Sequence, residues 1–156
     1  MVKRGLMTAE PEAGGGGSGV APQGADPRLA GVKIMVVDDS KTIRKSAEML
    51  LRRAGCEVLV AEDGFEALSK IVDSHPDLVF VDIMMPRLDG YQTCALIKSN
   101  PLFRSTPVIM LSSKDGLFDR ARGRVVGSEA YLTKPFTRDE ILDAVRRCVH
   151  RHTTTA

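Results

Sequence analysis

The sequence contains no tryptophan, two tyrosines, five phenylalanines and only three cysteines among its 156 residues. Cys56, Cys94 and Cys148 lie far apart and without the paired spacing of metal ligands. They read as reduced thiols, which excludes a disulfide framework and a zinc site. No apolar run approaches the roughly 20 residues that span a bilayer, and the N-terminus lacks the apolar segment of a secretory signal. Membrane insertion is therefore excluded and a cytoplasmic location is expected. An excess of one charge is missing too: 22 basic and 20 acidic residues are interleaved and leave a formal charge of +2. That balance argues against nucleic acid as a partner. A phosphate-cradling G-x-x-x-x-G-K-[ST] segment is also absent, which removes the P-loop nucleotide binders.

With 43% hydrophobic and 27% charged residues, the chain has the composition of a soluble domain with a core of ordinary size. Its length suits one domain with tails. Met1 to Gly31, rich in Gly, Ala and Pro and containing Gly14-Gly15-Gly16-Gly17-Ser18-Gly19, has too little apolar surface to offset its ordering entropy and reads as a disordered tail. Arg151 to Ala156 reads as a second tail. The folded domain is expected from Val32 to His150.

Within it the hydrophobic period switches repeatedly between that of a strand and that of a helix. Lys33 to Val37, Glu57 to Ala61, Leu78 to Val81, Val108 to Leu111 and Ala130 to Leu132 read as short buried strands. The third is introduced by an extended His75-Pro76 step. Helices are expected over Lys41 to Ala54, capped by Ser40 and stopped by Gly55, and over Gly64 to Ser74, with Phe65, Leu68, Ile71 and Val72 inward. Three more are expected over Gly90 to Ser99, carrying Tyr91, Cys94, Ala95 and Ile97, over Leu117 to Val126 and over Arg138 to His150. Five βα units with right-handed crossovers predict a doubly wound α/β domain of the flavodoxin-like type, with a parallel sheet in the order 2-1-3-4-5. In such sheets the site lies beyond the carboxyl ends of the strands.

Those ends are Asp38-Asp39 on the first strand, Asp82 on the third, Ser112-Ser113 on the fourth and Thr133-Lys134-Pro135 on the fifth. Three acids in one crevice repel one another and lose hydration, so they need a cation. A hard divalent ion with oxygen ligands, Mg²⁺ above all, meets that need. Beside it, Asp82 is placed to act as a nucleophile toward phosphorus, with Lys134 and Ser112 for the phosphoryl oxygens. Each residue alone has an ordinary explanation as a helix cap, a turn residue or a solvated lysine. Their joint occurrence on successive strand ends favours a site.

Val36-Val37-Asp38-Asp39-Ser40, Val81 to Gly90 and Tyr131 to Phe136 resemble the hallmark segments of the receiver domains of two-component response regulators, a resemblance that extends from Val32 to about Val149. It implies that Asp82 is the phosphoacceptor, that Asp38, Asp39, Asp82 and the backbone carbonyl of Met84 hold Mg²⁺, and that Lys134 and Ser112 bind the phosphoryl group. It also implies a switch in which Ser112 moves inward and Tyr131 turns from exposed toward buried, and a cis bond between Lys134 and Pro135. Met84 and Lys114 occupy positions that tune the phosphoryl lifetime in this family.

The chain stops a few residues after its last expected helix, so output is expected through another protein rather than an attached domain. Lys114 to Ser128, with Ser40 to Arg44, is similar to stand-alone regulators of type IV pilus twitching motility. This implies a chemotaxis-like histidine kinase as phosphodonor and pilus extension machinery as target. The alternative is a phosphorelay intermediate that hands its phosphoryl group to a histidine phosphotransfer protein. On either reading the chain is no enzyme beyond promoting its own phosphorylation and dephosphorylation. A haloacid-dehalogenase-type phosphatase would carry its aspartyl nucleophile as D-x-D on the first strand, where Asp38-Asp39-Ser40-Lys41 stands instead. A flavodoxin-like electron carrier would not place acids where its phosphate binds.

Overall fold

The computed structural model describes residues 25–113 and 120–154. Five parallel strands, β1 (Lys33–Val37), β2 (Glu57–Ala61), β3 (Leu78–Asp82), β4 (Val108–Ser113) and β5 (Ala130–Lys134), form one sheet in the order β2-β1-β3-β4-β5. Between and after them run α1 (Lys41–Arg53), α2 (Gly64–Ser74), α3 (Gly90–Ser99), α4 (Arg120–Val126) and α5 (Arg138–Thr154). This is the doubly wound flavodoxin-like arrangement expected from the sequence.

The strands are apolar on both faces because helices cover both sides of a parallel sheet. Alternation along the strands divides the core into two layers. Ile34, Val36, Leu78, Phe80, Ile109 and Leu111 pack with Ala47 and Leu51 of α1 and with Ile141, Leu142 and Val145 of α5. Met35, Val37, Val79, Val81 and Met110 pack with Ala67 and Ile71 of α2 and with Tyr91, Cys94 and Ile97 of α3. β3 is buried along its whole length, which puts its last residue, Asp82, at the bottom of the crevice.

The helix starts follow local chemistry. Ser40 Oγ accepts from the Ile43 amide, Asp63 caps α2, and Asp89 forms a capping box with Gln92 at α3. Each oxygen satisfies an amide that the first helical turn leaves unpaired.

Several expectations need correction. α2 turns Gly64, Ala67 and Ile71 inward, while Phe65 and Val72 are each 53% exposed. A Cβ on Gly64 would collide with Thr93 Oγ1 and lie 2.7 Å from Leu88 Cδ2, so the contact face is set by small residues that permit close approach. Phe65, one residue on and about 100° around the helix, faces outward beneath the Arg87 guanidinium. On α3, Ala95 is exposed and Thr93 is fully buried. His75 is not extended: with φ 46° it is the left-handed residue that closes α2.

The boundary of the expected N-terminal tail moves as well. Pro27–Leu29 forms a 3-10 turn capped by Asp26, and Leu29 is only 1% exposed within the α1 and α5 layer. The Asp26 amide donates to Ala54 O at 3.0 Å, the Gly31 amide donates to Gly55 O at 3.0 Å, and Arg146 of α5 pairs with Asp26 at 3.0 Å. A single buried leucine with paired flanking amides ties this segment down, which a composition average over 31 residues hides. α5 continues past His150 to Thr154. The glycine run, Lys114 and the expected helix start at Leu117 lie outside the described residues.

Candidate phosphoryl site

Asp38 follows the last residue of β1 and is fully buried; Asp82 ends β3 and is 3% exposed. Asp39 is exposed beside them. One carboxylate oxygen from each of the three lies within 4.8 Å of the others. Lys134, at the end of β5, reaches across the crevice to Asp38 Oδ2 at 3.0 Å and to Asp82 Oδ1 at 3.1 Å. The sheet order makes this possible, because β3 sits between β1 and β4 and the strands all end on one edge.

Both buried carboxylates are held by the backbone. Asp38 Oδ1 accepts from the Ser40 amide at 2.8 Å, and Asp82 Oδ1 accepts from the Met84 amide at 3.2 Å. Arg44, one turn into α1, donates to the carbonyl of Asp38 at 2.7 Å. The sequence reading passed over this arginine, although its place four residues after the helix cap is the signal that turns it back toward the strand end. Oδ1 of Asp82 is thus engaged by both Lys134 and the Met84 amide.

Burial, and then the charge of Asp38, push the Asp82 carboxyl up to about 6 against the pull of Lys134 and the Met84 amide. Burial alone would lower the Lys134 ammonium, but its hydrogen bond to Asp38 and the charges of Asp38 and Asp82 outweigh that and raise it. One ammonium does not balance three carboxylates. The all-oxygen, net-negative donor set has the chemistry of a Mg²⁺ site.

The remaining residues singled out from the sequence flank this cluster. Ser112, near the end of β4, is 6% exposed, and its hydroxyl donates to Ser113 O at 3.3 Å. Tyr131 on the edge strand β5 is 37% exposed and pairs in register with Met110, two residues before Ser112. The Lys134–Pro135 bond is cis. The side chain of Met84 is 68% exposed at the rim. Glycine is required at position 90, where a Cβ would lie 2.5 Å from the carbonyl oxygen of Asp82.

A five-stranded sheet in this order, with an acidic crevice bridged by a lysine at the strand ends, defines a flavodoxin-like α/β domain whose polar site lies at the carboxyl ends of its strands. Residues 34–146 match the response regulator receiver domain, and the chain belongs to that family, whose members take part in two-component signalling, are phosphorylated on an aspartate and bind Mg²⁺ at an acidic pocket. It is 69% identical over 116 residues to protein PilG of Pseudomonas aeruginosa, covering 74% of this chain and 86% of PilG. It is 39% identical over 119 residues to the alkaline phosphatase synthesis transcriptional regulatory protein PhoP of Bacillus subtilis, of which the match spans about half, 49%. Among solved structures, the chemotaxis protein CheY4 of Vibrio cholerae superposes with a TM-score of 0.73 at 32% identity, covering 76% of this chain and 99% of that one. Among the described residues no helix is long and apolar enough to cross a membrane.

Proposed function

We propose that this chain is a phosphorylation-activated switch that accepts a phosphoryl group on Asp82 from a chemotaxis-like histidine kinase and signals by changing its protein contacts. The observation that carries the reading is the Lys134 ammonium held between two buried carboxylates, Asp38 and Asp82, at 3.0 and 3.1 Å. Asp38, Asp39, Asp82 and the backbone carbonyl of Met84 would hold Mg²⁺. When bound, that ion supplies neutralisation of the charge on the transferring phosphoryl oxygens.

A carboxylate oxygen of Asp82 attacks phosphorus in line, the acyl O–P bond forms, and the bond to the donor histidine nitrogen breaks with the imidazole as leaving group. Lys134 is then placed to leave the carboxylate and pair with a phosphoryl oxygen, while the Ser112 hydroxyl turns from Ser113 O to donate to another. Withdrawal of Ser112 makes room behind β5 for Tyr131, which moves inward from its half-exposed position. This alters a groove of about 600 Å³ lined by Arg124, Tyr131, Thr133, Glu140 and Arg147, on which a partner protein reads the state. Nucleic acid and membrane play no part, and the switch works in the cytoplasm. The high identity to PilG supports a place in type IV pilus twitching motility, with pilus extension machinery downstream.

The test is reaction with acetyl phosphate, and binding of beryllofluoride, with and without Mg²⁺, followed by mass and NMR on the wild type and on Asp82→Asn. A Mg²⁺-dependent adduct that the variant loses is the expected result. Absence of an adduct at Asp82 removes the proposal. Rapid onward transfer to a histidine phosphotransfer protein would replace the motility role with a relay role.

A further inference from the structure

The described part of α4 is a seven-residue helix, and a specific side-chain cluster ties it to the start of α3. The guanidinium of Arg122 lies 4.3 Å from the centroid of the Tyr91 ring and 3.6 Å from Asp89 Oδ2. Tyr91 is buried, so its ring offers a fixed platform. Asp89 is fixed as well: its Oδ1 accepts from the Gln92 amide at 2.8 Å and its own amide donates to Gln92 Oε1 at 2.9 Å. One carboxylate oxygen thus caps α3 while the other faces α4.

Between these two residues stands Gly90. Its amide donates to Ile83 O at 2.9 Å, and its Cα rests so close to the acceptor strand that a Cβ would lie 2.7 Å from Ile83 Cα. Three successive residues therefore join α4 to the backbone of Asp82 and Ile83. Beside them lies a cavity of about 560 Å³ bounded by Ile83, Met84, Pro86, Tyr91 and Arg122. Its wall includes Met84, whose amide holds Asp82 Oδ1.

We propose that Arg122 is a positioning residue of the phosphoryl site: by clasping Asp89 and Tyr91 it keeps α4 closed over the flank of the β3–α3 loop and limits water access to the acyl phosphate on Asp82. The proposal rests on phosphorylation of Asp82. Loss of the clasp loosens the loop that carries Met84 and opens the cavity beside the acceptor, so hydrolysis accelerates. One cation–π contact and one half-exposed ion pair set the scale at about threefold to tenfold.

The experiment compares wild type, Arg122→Ala, Arg122→Lys, Asp89→Asn and the Arg122→Ala/Asp89→Asn double variant, with Val125→Ala, at an 84% exposed position of the same helix, as a control. Asparagine preserves the helix cap while removing the charge. The phosphoryl half-life after labelling with acetyl phosphate should fall about threefold or more in Arg122→Ala and less in Arg122→Lys, with the double variant no worse than the product of the two single effects. Amide hydrogen exchange from Met84 to Tyr91, read on unmodified protein, should quicken in Arg122→Ala and not in Val125→Ala. Unchanged exchange overturns the clasp whatever the phosphorylation result. Faster exchange with an unchanged half-life overturns its role at the phosphoryl site. A wild type that takes no phosphoryl group removes the proposed function itself, and with it the coupling to the acyl phosphate, while the exchange result still reports on the clasp.

Discussion

Replacing Asp82 by asparagine should stabilise the metal-free protein. The substitution keeps the side-chain shape, leaves an oxygen for Lys134 and the Met84 amide, and removes a charge that is buried against fully buried Asp38. Burial and the charge of Asp38 raise the Asp82 carboxyl from 3.8 to about 6. At 1.36 kcal/mol per pH unit, that displacement corresponds to about 3 kcal/mol against the ionised form. The sign follows from proton binding. Between about 3.8 and 6 the native carboxyl retains a proton that the unfolded one has lost, so wild-type stability falls as pH rises through that window and the loss is complete above it. The asparagine side chain has nothing to titrate. In EDTA at pH 7.5 the variant should exceed the wild type by about 2–3 kcal/mol, a melting shift of roughly 10 °C for a domain of this size. The advantage should shrink below pH 6 and vanish near pH 3.8. Saturating Mg²⁺ should close much of the gap, because it binds the folded wild type more tightly. Urea melts at several pH values measure all of this; equal stability at pH 7.5, or a difference that does not change with pH, would refute the electrostatic reasoning.

Three further outcomes follow from the packing. Leu29→Ala should cost about 2–5 kcal/mol, the range for a fully buried leucine, whereas a disordered tail would register no change in a denaturant melt. Gly90→Ala forces a Cβ against the backbone of Asp82 and Ile83, where no flexible side chain can give way. It should destabilise by about 1–3 kcal/mol and slow phosphorylation by acetyl phosphate, both readable on one preparation. Burial raises the Cys56 thiol to about 11 and the Cys94 thiol to about 12. Iodoacetamide at pH 8 should leave both unmodified in native protein and label them after urea is added; rapid native labelling would contradict their burial.

The strands, their parallel order and the gathering of Asp38, Asp39, Asp82, Ser112 and Lys134 at one edge were legible in the sequence. Each rests on a local signal: a short apolar run ending in a polar residue, or a cap followed by a helical period. Once the crossovers are right-handed, strand order alone brings residues nearly a hundred positions apart into one crevice. What local signals could not supply was the outcome of competition among neighbours. Phe65 and Val72 belong to a plausible apolar stripe, yet α2 presents Gly64 and Ala67 inward because Thr93 and Leu88 come so close to it. Leu29 lies in a stretch whose average composition opposes folding, and it is ordered by the α1 and α5 layer and by Arg146. Arg122 stands between Arg120 and Arg124 with no local signal of its own, and only α3 places Asp89 and Tyr91 opposite it. The sequence by itself determined which chemistry sits at the strand ends, because period, capping and chain direction are local properties. Only the tertiary structure decided which helix face is buried, where the folded unit begins and which side chains support the site, because those depend on the shape of whatever packs against them.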